Sequence, residues 1–485
     1  MKEELEKARN LKTRKERKKE TLRLRKKYND DSIVIYSKKH KEGRKESIAK
    51  KEKRELLKDA NLVNEVFAII NQYLPDLLPS FEKLTDTRHQ SYTKYKLKSL
   101  LTIRLFALIC GITSLGEMER RFNTEEAIEN MKIFCEEQLT EMPNWQTIQD
   151  TIENLSYQEI EDIRTRIVKR LLRSKMFDKY KYNGAFQILV DATGIASRDY
   201  NLNNNCLTRT TKKNKKINGK LETIETVTYY KYVLEAKLVF GNMVISLDTE
   251  WIENVENHNE KEKQDCEVNA FKRMEKRIKK NYPKTKFIIT GDALYATKPM
   301  MDICKNNKWD YIFNLKPDRL KEVASQFEGN IKLENETNLS NYYLSTNLYH
   351  KGHYLNTIKF EENQDGKLVI FRYVTNLEVN DNTIEEIVKI GRRRWKIENE
   401  GFNEQKNGTY CISHLCSYNE NAMRIHYLFI QFAHLIRQLF ELGSIVLKKS
   451  NLKIKKEISY QLSHELTSII INNLKENKFQ LRFDD

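Results

Sequence analysis

Three acidic residues stand where they could build a phosphodiester-cleaving site. Asp191 follows an apolar run in LVDATG, Asp292 follows another in IITGDALY, and Glu398 lies in RRRWKIENEGFNEQKNG, residues 392–408. Carboxylates that emerge together at the carboxyl ends of adjacent parallel strands sit where open α/β sheets bind ligands. Such oxygen ligands suit Mg²⁺, which keeps several waters. A third carboxylate completes a two-metal site that activates the attacking oxygen and stabilises the leaving one. A single strand-end aspartate also simply starts a turn, so the pair narrows the chemistry without fixing a reaction. Asp199 and Asp248 are nearby acids that compete for the role.

Arg394 precedes Glu398 by four residues, so an unbroken helix puts both on one face. That spacing reads either as a surface ion pair, worth little, or as a guanidinium poised to grip a phosphate oxygen. Lys406 lies about two turns beyond Glu398 and returns to nearly the same face. Lys316, in NLKPDR, reads as a turn residue, with phosphate contact as the alternative. Trp395 reads as core packing, with buttressing of the site as the alternative, and Tyr295 as packing or as a residue that orients the site. Phosphate-loop, HExxH and GxSxG signatures are absent.

The elements that must carry these residues follow from periodicity. Residues 59–180 show helical spacing, as in Leu62, Val63, Val66, Phe67, Ile70, Tyr73 and Leu74, with Pro75 and Pro79 as stops. From about residue 185 the texture becomes strand-like. AFQILVDATG, YKYVLEAKLVF and MVISLDTEWI, the last two joined by a Gly241-Asn242 turn, precede a helix over KQDCEVNAFKRMEKRIKKNY. The strand FIITGDALY, a helix near 297–307 and the strand WDYIFNL follow. Alternation over 317–380 predicts a β-rich insertion. Asp381 and Asn382 can cap a helix from Thr383 into the Glu398 stretch. A long apolar helix is expected over 418–447. The basic run RTTKKNKKINGK at 209–220 reads as a loop, solvated or DNA-tracking.

The partition is therefore a basic arm (1–58), a helical DNA-binding region (59–180), a core in two parts (181–316 and 381–417) split by the insertion (317–380), and a C-terminal helical region (418–485). The formal net charge is +17, and +12 of it falls in residues 1–58. That sign favours a polyanion, because Lys and Arg displace counterions from phosphates. The arm reads equally as a DNA-contacting helix and as a solvated tail. Seven cysteines without a CxxC pair indicate a reduced, intracellular chain with no zinc module. The longest apolar run, Leu105 to Leu115, is too short for a bilayer, which needs about 20 residues. The expectation is a cytoplasmic protein with no membrane contact and no small-molecule cofactor.

LVDATG, GDALY and RRRWKIENEGFNEQKNG together resemble the DDE transposases of bacterial insertion sequences. The likeness is to the branch whose RNase H-like core carries a β-strand insertion before the glutamate. PNWQTIQDTIENL resembles the helical segment ahead of the core in these proteins, and CISHLCSYNENAMRIHYLFIQFAHLI their C-terminal helix. The likeness spans roughly residues 60–450. It implies an α/β fold, an RNase H-like mixed sheet with the insertion, flanked by helical regions. It implies Asp191, Asp292 and Glu398 as catalytic, metal-binding acids for two Mg²⁺ ions, with Mn²⁺ able to substitute. Arg394, Lys406 and Lys316 would contact DNA. The implied partners are double-stranded transposon ends and target DNA, held by a homodimer and nucleoid-associated in a prokaryotic host. Water would be the first nucleophile; the freed 3′ hydroxyl would then attack, through a hairpin in several relatives, ending in strand transfer.

The sequence departs from the branch signature of Tyr, two residues, Arg, three residues, Glu, six residues, Lys. Gly391 stands at the Tyr position, and Gln405 at the Lys position with Lys406 one place late. Some relatives stack a flipped base on a tryptophan of the insertion. No tryptophan falls within 317–380, so Tyr342, Tyr343, Tyr349 or Tyr354 would have to serve. Two other readings stand beside the transposase: a catalytically inactive DNA-binding repressor of a related element, and an RNase H-like nuclease without strand transfer.

Overall fold

The structure is a computed structural model that describes residues 2–11, 13–30, 33–35, 61–203, 205–217, 220–255, 263–324, 332–334, 340–414, 416–444, 447–448, 454–471, 481 and 483. The chain divides into two compact units, residues 1–61 with 445–453, and residues 62–444 with 454–485.

In the first unit, helices α1 (Lys2–Arg9) and α2 (Arg14–Tyr28) carry most of the described residues. Thr13 opens α2 with a reciprocal cap. Its hydroxyl accepts from the Glu16 N–H at 3.2 Å, and the Glu16 carboxylate accepts from the Thr13 N–H at 2.9 Å. Ala8, Leu24, Ile33 and Ile35 are buried together, with Leu5, Leu11 and Tyr28 against them. Leu5, Leu11 and Leu24 thus share a small core, whereas Leu22 is exposed. The linker expected before residue 59 lies outside the described residues from 36 to 60.

In the second unit a helical layer precedes the sheet. It comprises α3 (Leu62–Tyr73), α4 (Leu77–Glu82), α5 (Leu97–Ile109), α6 (Leu115–Phe122), α7 (Glu125–Cys135), α8 (Trp145–Glu153) and α9 (Tyr157–Arg173). Every residue of α5 is buried, which is why its sequence is apolar all round. Phe67, Phe106 and Phe134 stack at its centre, with ring centroids 4.4 and 4.5 Å apart. Asn144 caps α8 by accepting from the Gln146 N–H at 2.8 Å.

The sheet has ten strands: β1 (Phe186–Arg198), β2 (Leu207–Ile217), β3 (Lys220–Phe240), β4 (Met243–Ile252), β5 (Phe287–Gly291), β6 (Asp310–Asn314), β7 (Lys332–Glu334), β8 (Ser340–His350), β9 (His353–Gln364) and β10 (Lys367–Thr375). Their order is β2-β3-β1-β5-β6-β10-β9-β8-β7, with β4 also on β3. β1, β5 and β6 are parallel; β3 and β10 flank them antiparallel. Helices α10 (Glu267–Asn281) and α11 (Lys298–Asn307) make the crossovers into β5 and β6. This mixed α/β architecture is that of an RNase H-like core.

Three expectations change. The described part of the basic run at 209–220 is strand, not loop: β2 pairs with β3 from Leu207↔Tyr230 to Ile217↔Lys220, and residues 218 and 219 lie outside the described residues. β1 pairs with β3 only over residues 229–238, so the outer part of the β2–β3 hairpin runs past the sheet body. The β-rich insertion is not a separate layer, because β10 pairs directly with β6 and extends the core sheet. Thr383, not Asp381 or Asn382, precedes helix α13 (Ile384–Arg392), and it makes no side-chain cap. A short α12 (Lys321–Ala324) leads into the insertion. Ile384, Ile387, Val388 and Ile390 of α13 pack with Ile358, Phe360 and Tyr373 in one core. After α14 (Glu404–Asn407), helix α15 (Glu420–Gly443) lies against α5, and α16 (Lys455–Ser468) completes the layer.

Candidate active site

The parallel register brings the two aspartates level. Leu189 of β1 lies opposite Thr290 of β5, and two residues further each strand reaches its acid, Asp191 or Asp292. β5 ends at Gly291, one residue before Asp292. β1 does not end at Asp191; it continues to Arg198 because β3 supplies a longer antiparallel partner, with Asp191 opposite Glu235. The Asp191 carboxylate accepts from the Ala192 N–H at 2.9 Å, and that of Asp292 from the Leu294 N–H at 2.8 Å. Gly291 makes room for this turn: a Cβ there would lie 2.8 Å from the Tyr295 ring.

The third acid arrives on an unusual helix. α13 stops at Arg392, and residues Ile397–Asn403 form a π-helix, a geometry that is rare and concentrates at functional sites. Ile397 and Phe402 anchor it on Leu189, Val239 and Val244. The break removes the single α-helical face expected for Arg394, Glu398 and Lys406. Arg394 turns instead to Asp191, with Nη1 3.2 Å from Oδ2. Glu398 is half-buried, and its carboxylate makes no hydrogen bond or ion pair among the described residues. Its charge is nevertheless felt at Asp191.

A fourth carboxylate joins this field. Glu267, in the first turn of α10, accepts from the Tyr295 hydroxyl at 3.3 Å. Tyr295 is fully buried between Phe271, 6.0 Å away edge-on, and Phe313. Burial, then Asp191 and Asp292, push the Glu267 carboxyl up to about 7. Burial also raises Asp191, against the pull of Arg394 and the Ala192 N–H; Asp292 and Glu398 add to the rise. Sequence reasoning missed Glu267 because an acid in a helix's first turn is a common dipole partner. Only the fold brings it beside strands that start far away in the chain.

Arg394 is buried, and its Nε has no hydrogen-bond partner among the described residues. Its guanidinium lies 4.7 Å from the Trp395 ring centre. Trp395 is 53% exposed, so the expected core packing is corrected: the ring stands at the surface beside the arginine. Lys406 is half-buried with its ammonium over Phe402. Lys316 is exposed in the turn after β6, at the sheet edge where Asp292 emerges, and its carbonyl accepts from the Arg319 N–H at 2.9 Å. Asp248, a competing acid on β4, is buried and held by Arg277 at 2.6 Å.

The two departures in the 391–406 stretch have structural causes. Gly391 packs under Tyr373, and a Cβ at 391 would lie 2.7 Å from that ring. Gln405 is fully buried, donating to Gln431 at 2.9 Å and meeting His434 Nδ1 at 2.9 Å. Gln431 also accepts from Lys237 at 2.8 Å. Gln405 is therefore part of the buried seat under the π-helix.

Among the described residues, no three His, Cys, Asp or Glu side chains are gathered closely enough to hold a metal ion as they stand. The chemistry of the donor set still fits one. All four acids offer only oxygen, the preference of a hard cation. Burial first, and then their mutual repulsion, raises Asp191 and Glu267, and a cation relieves that repulsion.

Two family models match the chain. One, described as DDE_Tnp_1-associated, covers residues 78–166. The other, Transposase DDE domain group 1, covers residues 255–454 and so includes Asp292, Arg394 and Glu398. Both matches support a DDE transposase family for this chain. Nuclease and transposition activity, DNA binding and use of a divalent metal are properties of that family. No curated protein matches the chain. No helix among the described residues is long and apolar enough to cross a membrane.

Proposed function

We propose that this transposase cleaves DNA at the ends of its element and transfers the freed 3′ ends into target DNA, with Asp191, Asp292 and Glu398 holding two Mg²⁺ ions. The observation that carries the reading is the β1–β5 register, which sets Asp191 and Asp292 at one level of adjacent parallel strands. Bound there, the metal would activate water and stabilise the leaving 3′ oxygen; Mn²⁺ would serve in its place. The chain's own residues do the rest. Arg394, held by Asp191 and lying beside the Trp395 ring, offers its guanidinium to a phosphate oxygen. Lys316 and Lys406 add positive charge along the backbone. Phe402 and Ile397 hold the Glu398 segment against the sheet. The ends are paired by a homodimer.

The test is cleavage of end DNA by the purified full chain with Mg²⁺. Asp191→Asn, Asp292→Asn and Glu398→Gln should each lose cleavage by about 10³-fold or more, with duplex binding kept. Undiminished cleavage by Asp292→Asn would sink the proposal. Precleaved ends then separate strand transfer from simple hydrolysis.

A further inference from the structure

At the opposite end of the parallel strands from the acids lies a basic groove. Its cavity is about 660 Å³, between the end of α9 and the segment that leads from α10 into β5. Lys169, Arg173, Lys181, Lys284 and Lys286 line it, and no Asp or Glu does. Lys181 is paired with Asp178 at 2.7 Å. The other four make no ion pair among the described residues. Such a concentration of unpaired cations costs self-repulsion, which a bound polyanion removes.

The arrangement is built by two local features. Arg166, Lys169, Arg170 and Arg173 recur at helical spacing, so α9 presents them on one face. Lys284 lies in the turn closed by the Thr285 N–H donating to the Tyr282 carbonyl at 3.2 Å, and Lys286 lies just before β5; both are exposed and line the cavity. Aromatic rings fix two of the cations: Lys169 lies 5.7 Å from the Tyr282 ring centre, and Lys181 lies 4.7 Å from that of Phe186. A second recess of about 510 Å³ shares Lys169 and Arg173 and continues the strip past Arg166 and Arg170, with Arg170 on Asp76 at 3.2 Å.

We propose that this groove binds the phosphate backbone of a second segment of DNA, separate from the one at the acids. From Phe186, at the groove, to Asp191 is five residues of one strand, roughly 17 Å. The groove and the acids thus face opposite edges of the sheet, and phosphates in the groove are not those being cut. A groove lined by lysines and arginines and by no acid suits a continuous backbone better than a protein surface of mixed charge. The inference rests on the family's DNA binding, and not on the cleavage steps proposed above.

The experiment compares the full chain with Lys169→Gln/Lys284→Gln/Lys286→Gln, and with a control, Lys272→Gln/Lys276→Gln/Lys351→Gln, of equal charge change. The probe is a random-sequence duplex several turns long, followed by fluorescence anisotropy against salt. The groove variant should bind about tenfold more weakly, and its log–log salt slope should fall by about 2–3. The control should change less than about twofold. Cleavage of a short end duplex should persist in the groove variant. An unchanged slope, or equal loss in the control, overturns the proposal. If the wild type binds but never cleaves, the function proposed above fails and this one stands. Lys284→Gln/Lys286→Gln, both at exposed positions between α10 and β5, gives the same readout should the triple variant fail to fold.

Discussion

The buried hydroxyl of Tyr295 lies 3.3 Å from the Glu267 carboxylate and ties α10 to the turn that presents Asp292. The bond joins a helix start to a strand end, two places where the sequence alone suggests no partnership. It also opposes the rise that burial, Asp191 and Asp292 impose on Glu267.

Removing that hydroxyl gives a signed expectation. In Tyr295→Phe the carboxyl should titrate above its present value of about 7. Mg²⁺ affinity, measured calorimetrically without DNA, should weaken at neutral pH and recover as pH rises and Glu267 ionises. Glu267→Gln should abolish that pH dependence. An identical pH profile in wild type and Tyr295→Phe would refute the coupling.

Arg394 carries the next expectation. Its guanidinium lowers Asp191 against burial. In Arg394→Gln, Asp191 should titrate higher, so the acid limb of the cleavage–pH profile should move upward. Loss of the charged contact should also cost about 1.5–3 kcal/mol of transition-state stabilisation, read as a lower kcat/KM. Arg394→Lys should keep the charge but not the planar grip, and recover only part of the activity.

Gly391 is expected to resist substitution for a steric reason. A Cβ 2.7 Å from the Tyr373 ring must move that ring in a core shared with Ile358, Phe360 and α13. Gly391→Ala should destabilise by roughly 1–3 kcal/mol in urea unfolding, despite the better helix propensity of alanine. Tyr373→Leu should recover part of the loss in the double variant. Wild-type stability in Gly391→Ala would count against the packing argument.

Glu465 sets a stability term with a definite sign. It is buried, accepts from the Leu62 N–H at 2.6 Å and the Val63 N–H at 3.2 Å, and burial pushes its carboxyl up to about 7. A carboxyl raised in the folded state binds more protons folded than unfolded. Its contribution is therefore full below the ordinary value of about 4.3 and is lost as pH rises through about 7. Glu465→Gln should flatten that decline, so its melting temperature should gain on the wild type between pH 5 and 8, each compared in the same buffer series.

The sequence by itself determined the parts that depend on local pattern. Apolar runs bounded by turn residues located β1, β5 and β6, and helical spacing located α3, α5 and α15. Asp292 was legible as a strand-end acid because the run before it and the small residues after it are contiguous in the chain. What only tertiary structure decided depends on contacts between distant segments. Asp191 sits inside a strand because β3 is long enough to carry the ladder past it. The π-helix sends Arg394 to Asp191, 203 residues away, instead of to Glu398 four residues on. Gln405 and Gly391 look like faults in a motif until Gln431, His434 and Tyr373 fill the space around them. Glu267 shows no signal in sequence, since its neighbours Asp191, Asp292 and Tyr295 are assembled only when β1 and β5 align. Hydrophobic periodicity is written residue by residue, whereas the field at a carboxylate is set by whatever the fold brings within a few ångströms.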